Sequence, residues 1–158
     1  MKTQLDFIQD HEAARAGDLW LTQPIGGGQV KTYTFGAALD EARRVASYLK
    51  SLGLPPGSRI AIFSKNTAWW LMADLAIWLS GHVSVPIYPT LTAGSIRQIL
   101  EHSGASLVFV GKLDGFPAME PGLEGVTRVA LPLAPPVPNA LKWEDLVAKH
   151  PPLTGRVT

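Results

Sequence analysis

The sequence predicts an α/β fold: a doubly wound, mostly parallel sheet with helices on both faces, preceded by an N-terminal β-hairpin. Three short apolar segments indicate the sheet, at residues 59–63, 83–88 and 106–110. All three are rich in β-branched or aromatic residues, and nearly continuous apolar runs are typical of strands covered on both faces. Periodic segments with helix start and stop signals lie between them, which is the alternation expected of βαβ units.

The composition is that of an ordinary globular domain. The 158 residues are 46% hydrophobic and 17% charged, with a formal net charge of +1, so charge gives no reason to expect nucleic acid or an anionic membrane as a partner. The absence of cysteine excludes disulfides, thiolate metal sites and a cysteine nucleophile. The most apolar stretch, Ala68–Leu79, is shorter than the roughly twenty residues that span a bilayer. We therefore expect a soluble, cytoplasmic protein with a single α/β domain over residues 1–158.

The first predicted element is the hairpin. Two short alternating runs, Asp18–Thr22 and Val30–Thr34, flank the glycines Gly26–Gly28, a pattern typical of two antiparallel strands joined by a glycine turn. A phosphate-binding interpretation of these glycines is weaker. Such a loop opens a helix after a buried strand, and here a second strand follows.

Two of the predicted helices are amphipathic. The first begins at the N-cap Thr34, carries apolar side chains at spacings of three and four, and ends at Gly53. The other begins at Thr92, directs Ile96 inward and ends at Gly104. Each helix therefore has one face for the sheet and one for water.

The helix predicted between them, at about residues 67–80, has almost no polar face. It contains Trp69, Trp70 and Trp78, which at helical spacing indicate core or interface rather than a ligand cage. A chain of this length has limited material to cover such a helix. We therefore expect self-association, most simply as a homodimer.

The C-terminal third is less regular. Residues 126–131 are predicted to form a fourth parallel strand, followed by a proline-rich linker at 132–142. A short helix is predicted at 143–149, and residues 150–158 are predicted to form a tail. The proline and glycine content of this region disfavours longer helices.

Histidines and glycines give no sign of a metal or dinucleotide site. None of the four histidines has metal-ligand spacing: His11, His82, His102 and His150. His82 follows the helix-ending Gly81 and is predicted to lie on the surface. The first parallel strand is followed by Ser64–Thr67 and not by Gly-x-Gly-x-x-Gly, which excludes a dinucleotide-binding Rossmann domain.

Ligands of open parallel sheets bind beyond the carboxyl ends of the strands. In this chain those ends are Ser64–Asn66, Tyr88–Thr90 and Gly111–Lys112. The best-placed candidates are Tyr88, Pro89 and Thr90, since prolines fix the loop and the tyrosine supplies an amphipathic wall. A plain turn between strand and helix is the competing interpretation. No catalytic, cofactor-binding or metal residue is predicted.

Four segments in order resemble the N-terminal part of the adenylate-forming acyl-CoA synthetases: Thr32–Phe35, Leu52–Asn66, Ser80–Thr90 and Ile99–Val110. Order and spacing match over roughly residues 18–150. The Pro-Ile-Tyr-Pro-Thr form at residues 86–90 is most similar to the long-chain fatty-acid–CoA ligases.

This resemblance implies an enzyme that makes an acyl-adenylate from a fatty acid and ATP with Mg²⁺, and then transfers the acyl group to coenzyme A. The family's phosphate loop, ribose-binding acid, acyl pocket and catalytic lysine map to no residue of this chain. The resemblance therefore implies none of ATP, Mg²⁺ or coenzyme A bound by the chain itself. Ala37 and Ser58 replace a glutamate and an aspartate that are common in the family, which concerns the subfamily rather than the fold.

Three hypotheses follow. The first is an N-terminal fragment of a long-chain fatty-acid–CoA ligase that is inactive by itself. The second is a self-standing α/β module for interaction or small-ligand binding. The third is a fragment of another adenylate-forming enzyme, such as an aryl-CoA ligase or a peptide-synthetase adenylation domain.

Overall fold

A computed structural model describes all of residues 1–158. In chain order the elements are α1 (Gln4–Ala14), β1 (Leu19–Gly26), β2 (Gln29–Thr34), α2 (Phe35–Ser51), β3 (Arg59–Phe63), α3 (Ala68–Leu79), β4 (Val83–Ile87), α4 (Ala93–Ser103), β5 (Leu107–Val110), α5 (Phe116–Met119), a 3₁₀ turn (Glu120–Leu123), β6 (Thr127–Ala130), β7 (Ala140–Lys142) and α6 (Trp143–Lys149).

The main sheet has five strands in the order β4-β3-β5-β6-β7, and every pair in it is parallel. β1 and β2 form a separate antiparallel hairpin. The predicted parallel α/β sheet with an N-terminal hairpin is thus confirmed. β4 is an outer strand, and Pro86 is tolerated there because an edge strand has a side that needs no N–H donor.

Helices cover both faces of the sheet. α2, α3 and α6 pack on one face, where Ile60 and Ile62 of β3 belong to a core that also contains buried side chains of these helices. α4 and α5 pack on the other face, against Ala61 and Phe63. Successive residues of β3 thus serve opposite cores, which is why this strand is apolar along its length.

Side-chain caps begin the three main helices. The hydroxyls of Thr34, Thr67 and Thr92 accept hydrogen bonds from the third backbone N–H after each cap, at 3.1–3.4 Å. Gly104 ends α4 in the left-handed conformation, with φ of 68°. Signals of this kind are local in sequence, and Thr34, Thr92 and Gly104 were predicted at these positions, whereas for the second helix the sequence left the cap open between Asn66 and Thr67.

Two features go beyond the sequence-based predictions. α1 packs on the α/β layers, and part of the segment predicted to be a proline-rich linker, 132–142, forms the fifth parallel strand β7. The segment predicted to be a tail has no helix or strand but lies against the helices. The Gln9 amide exchanges two hydrogen bonds with the Val157 backbone, at 2.7 and 2.8 Å. No helix is both long and apolar enough to cross a bilayer.

Candidate functional site

The sheet reverses its winding between β3 and β5. From β3 the chain passes through α3 on one face to β4, and from β4 it passes through α4 on the other face to β5. The crevice beyond the carboxyl ends of β3 and β5 is therefore the topological switch point, where ligands of such sheets usually bind. The loops that border it are 64–67 and 111–115.

In this chain the switch point is closed by direct packing. The Gly111 N–H donates to Phe63 O at 3.0 Å, and the Lys65 N–H donates to Lys112 O at 2.8 Å. A Cβ at Gly111 would lie 2.2 Å from Ser64 Oγ, so only glycine allows this approach. The Lys65 ammonium pairs with the Asp114 carboxylate across the outer rim and lowers its pKa. The two loops are thus bonded directly to each other through their backbones.

The open space lies one strand further along, between β3 and β4. A cleft of about 150 Å³ is lined by Ser64, Asn66, Trp70, Pro86, Ile87, Tyr88 and Pro89. It contains two of the three predicted site residues. Tyr88 is 77% exposed and Pro89 is half-buried, whereas Thr90 is exposed and outside the lining. The lining has hydroxyl and amide groups but neither carboxylate nor imidazole, so it offers hydrogen bonds and an aromatic wall without a general acid or base.

A second cavity at the carboxyl edge was not predicted. It has a volume of about 410 Å³ and is lined by Lys31, Tyr33, Glu41, Trp69, Pro132, Trp143, Glu144 and Val147. These residues come from the hairpin, α2, α3, α6 and the segment after β6. Because they are far apart in sequence, no local motif marks them. The only signal is that aromatic residues begin both α3 and α6.

The polar groups of this second cavity are largely committed to one another. Trp69 Nε1 donates to Tyr33 Oη at 3.1 Å, and Trp143 Nε1 donates to Glu41 Oε1 at 2.9 Å. Burial raises the pKa of Tyr33, and the charge of Glu41 raises it further. The phenol therefore stays protonated at neutral pH. This arrangement fixes the hairpin and α6 on the core and provides no nucleophile.

The prediction that His82 lies on the surface is wrong. Its side chain is only 7% exposed, and Nδ1 has no hydrogen-bond partner. Burial lowers the pKa of His82, and the positive charge of Lys50 lowers it further. The glycine before His82 marks a helix end, but β4 begins directly after the histidine, at Val83, so His82 lies in the short connection between helix and strand and is buried there. The imidazole is thus kept neutral inside the fold.

Residues 1–158 contain no cluster of metal-ligand side chains and no glycine-rich loop that opens a helix. Nowhere in residues 1–158 are three His, Asp or Glu side chains gathered as metal ligands. Gly26–Gly28, the only run of three glycines, joins β1 to β2 and so does not open a helix onto a phosphate. The residues do not fit a triphosphate with its cation, and no chemical step is assigned to them.

Comparison with known proteins gives a consistent family signal. The family model described as AMP-binding enzyme matches residues 9–153. The long-chain-fatty-acid–CoA ligase FadD15 of Mycobacterium bovis is 37% identical over 111 residues, which cover 68% of this chain and 18% of that protein. Long chain acyl-CoA synthetase 1 of Arabidopsis thaliana is 34% identical over 77 residues, covering 49% of this chain and 12% of the plant protein. The chain thus spans less than a fifth of the length of these relatives.

Solved structures show the same fold. A benzoate CoA ligase from Burkholderia xenovorans superimposes with a TM-score of 0.81 over 100% of this chain and 30% of its own, at 24% identity. An anthranilate CoA ligase, AuaEII, superimposes with a TM-score of 0.81 over 97% of this chain and 29% of its own, at 22% identity. At these identities the likeness concerns the fold alone.

Proposed function

Because the chain belongs to the family of AMP-binding enzymes, whose model matches residues 9–153, we propose that it is the N-terminal part of a long-chain fatty-acid–CoA ligase. Such an enzyme joins a fatty acid to ATP as an acyl-adenylate with release of pyrophosphate, and then transfers the acyl group to coenzyme A. The observation that carries this proposal is the 37% identity over 111 residues to a long-chain-fatty-acid–CoA ligase.

The role proposed for this chain is that of a scaffold in a cytoplasmic enzyme. Its closed switch point and its lack of a phosphate cradle favour reactants held by residues outside this chain. Tyr88, Pro89 and Thr90 remain the residues proposed to border that space, since they follow a strand at the carboxyl edge of the sheet. By itself the chain is proposed to be inactive.

The first prediction tests both parts of this proposal. The isolated chain should release no pyrophosphate from ATP, Mg²⁺ and palmitate above a no-protein blank, because adenylyl transfer needs positioned donors around the phosphates. A chimera in which the matched part of this chain, 68% of its length, replaces the matched 111-residue stretch of M. bovis FadD15 should form palmitoyl-CoA, because the scaffold is compatible. Coupled pyrophosphate and thioester assays measure the two activities.

A second chimera, made in a different host enzyme, distinguishes the long-chain ligase hypothesis from the other two. The same replacement in the benzoate CoA ligase, which has the same fold but lower identity, should give a weaker enzyme relative to its parent. Equal retention in both hosts would contradict the long-chain assignment. A chimera that folds in both hosts and works in neither would favour a self-standing module. Turnover by the isolated chain that heat denaturation abolishes would contradict the proposed inactivity.

We also propose that the chain self-associates through the exposed rim of the cleft between β3 and β4. Trp69 is buried, whereas Trp70 is half-buried beside exposed Pro86 and Tyr88. These three cleft residues, Trp70, Pro86 and Tyr88, form an apolar surface at the outer strand of the sheet. A second copy that presents the same surface would cover it symmetrically.

The second prediction concerns this surface. Trp70→Glu should weaken association by about tenfold or more, because a tryptophan at the centre of an interface is usually a hot spot. Light scattering at several concentrations measures the change. Leu141→Glu is the matched control, since Leu141 is 43% exposed on β7, at the opposite edge of the sheet. A native chain that stays monomeric at every concentration, or equal weakening by both substitutions, would contradict the proposed surface.

A further inference from the structure

A groove separate from the carboxyl edge lies between α1, β1 and α3. It has a volume of about 270 Å³ and is lined by Gln4, Phe7, Ile8, His11, Trp20, Leu71, Asp74, Leu75 and Trp78. Most of this lining is aliphatic or aromatic. Phe7 is 53% exposed at its rim, whereas Trp20 and Trp78 are half-buried in its walls. The groove is therefore an open apolar slot with two indole rings.

Asp74 is the only acidic side chain of this lining. It is 8% exposed and sits on α3 among apolar residues. Its Oδ1 accepts a hydrogen bond from the hydroxyl of Ser84, and its Oδ2 receives no hydrogen bond from the protein. Among side-chain nitrogens and oxygens that are shielded from solvent, His82 Nδ1 alone has no hydrogen-bond partner. Asp74 Oδ2 has no partner either, so it is not shielded from solvent, and Asp74 lines the groove. One oxygen of a buried carboxyl group is thus available to a ligand.

This carboxyl group has no cationic partner. None of the ion pairs of the chain includes Asp74. A buried carboxylate without a counter-charge is costly, and burial accordingly raises the pKa of Asp74 while the Ser84 hydroxyl opposes the rise. A ligand that brings a positive charge would supply the missing partner. Indole faces also attract cations.

We propose that the groove between α1 and α3 binds a small organic ammonium ion, with its N–H groups on Asp74 Oδ2 and its apolar body against Trp20 and Trp78. The volume suits a ligand smaller than a drug-sized molecule. A strongly hydrated inorganic cation is disfavoured, because beyond Asp74 the lining offers only the Gln4 amide and the His11 imidazole, far fewer oxygen ligands than the six or so that such a cation takes. The site lies outside the cleft at Tyr88 and is independent of the proposed ligase function.

Titration of the ¹⁵N-labelled chain at pH 8 tests the site. Hexylammonium should shift the indole N–H signals of Trp20 and Trp78 in a saturable way and leave that of Trp143 unchanged. Hexanol, which has the same apolar body without the charge, should bind at least about tenfold more weakly, because a hydrogen bond to a charged group contributes roughly 1.5–3 kcal/mol. Hexanoate should bind more weakly still.

Asp74→Asn should lower hexylammonium affinity by about tenfold and leave hexanol binding unchanged. Ser84→Ala is the matched control, since it keeps the carboxyl group and should retain preference for the amine. Equal affinity for hexanol and hexylammonium in the native chain would overturn the proposal, as would an unchanged affinity in a folded Asp74→Asn chain. If that variant does not fold, the comparison of the three ligands on the native chain still decides the question.

Discussion

Gly111→Ala is expected to destabilise the fold by about 1–3 kcal/mol, the usual effect of overpacking a tight contact. The new Cβ would lie 2.2 Å from Ser64 Oγ and 2.6 Å from Ser64 Cβ, and 3.1 Å from Leu131 Cδ1. Both neighbours are buried, so neither can move aside without disturbing a strand end. The free energy of unfolding in urea measures the effect.

A double-mutant cycle shows whether the contact with Ser64 is the cause. Ser64→Gly removes the two closest atoms, so Gly111→Ala should cost about 1 kcal/mol less in that background. Gly94→Ala is the matched control on α4. A Cβ there meets nothing within 4 Å, and alanine is the better helix former. Strict additivity of the Gly111 and Ser64 changes would show that the loops are not held together by this contact.

The packing at the switch point determines where a cleft lies along the carboxyl edge, and the role of Tyr88, Pro89 and Thr90 stays a prediction. The carboxyl edge was predicted from the parallel order of the strands, and Tyr88 and Pro89 do line a cleft there. The sequence does not show that Gly111 packs on Ser64, because these two residues follow β5 and β3, which are neighbours in the sheet but are separated in the chain by β4 and two helices. The loops after β3 and β5 are in direct contact, and the cleft at the carboxyl edge lies instead between β3 and β4.

The parts of the fold that were predicted are those with local signals. Buried parallel strands are apolar throughout, and Thr34 and Thr92 mark helix starts because the hydroxyl of each accepts a hydrogen bond from a nearby backbone N–H. α1 also begins with a threonine cap, Thr3, but it has no buried apolar face, since Gln9 is its only buried residue. Leu5 and Ile8 pack on the core, and Gln9 bonds Val157, 148 positions away, a contact that no sequence window contains.

Arg43 adds a further link between α1 and the C-terminal segment. Its guanidinium donates to both carboxylate oxygens of Glu12 on α1, at 2.8 and 2.9 Å. It also donates to the carbonyls of Leu153 and Gly155 in the C-terminal segment, at 3.1 and 2.9 Å. The Leu153 N–H in turn donates to Arg43 O at 3.2 Å. One side chain on α2 therefore satisfies acceptors from two separate segments.

Arg43→Ala is expected to destabilise the fold by about 3 kcal/mol, the lower end of the roughly 3–5 kcal/mol lost when a buried ion pair is broken. Arg43 is 9% exposed, and its removal leaves the Glu12 carboxylate and two carbonyls without their donor. The lower end applies because the Glu12 side chain keeps some contact with water. Unfolding in urea gives the free energy, and trypsin cleavage after Arg156 reports release of the C-terminal segment.

Arg97→Ala is the matched control for this change. Arg97 pairs with Glu101 one turn along α4, both groups are exposed, and such pairs contribute roughly 0.3–0.5 kcal/mol. Arg43→Ala should also speed cleavage after Arg156 under native conditions, whereas Arg97→Ala should not, because of these two arginines only Arg43 contacts the C-terminal segment. If the two variants unfold at the same urea concentration and are cut at the same rate, Arg43 does not join the two ends. A loss of stability without faster cleavage would instead place the whole effect of Arg43 in the contact between α1 and α2.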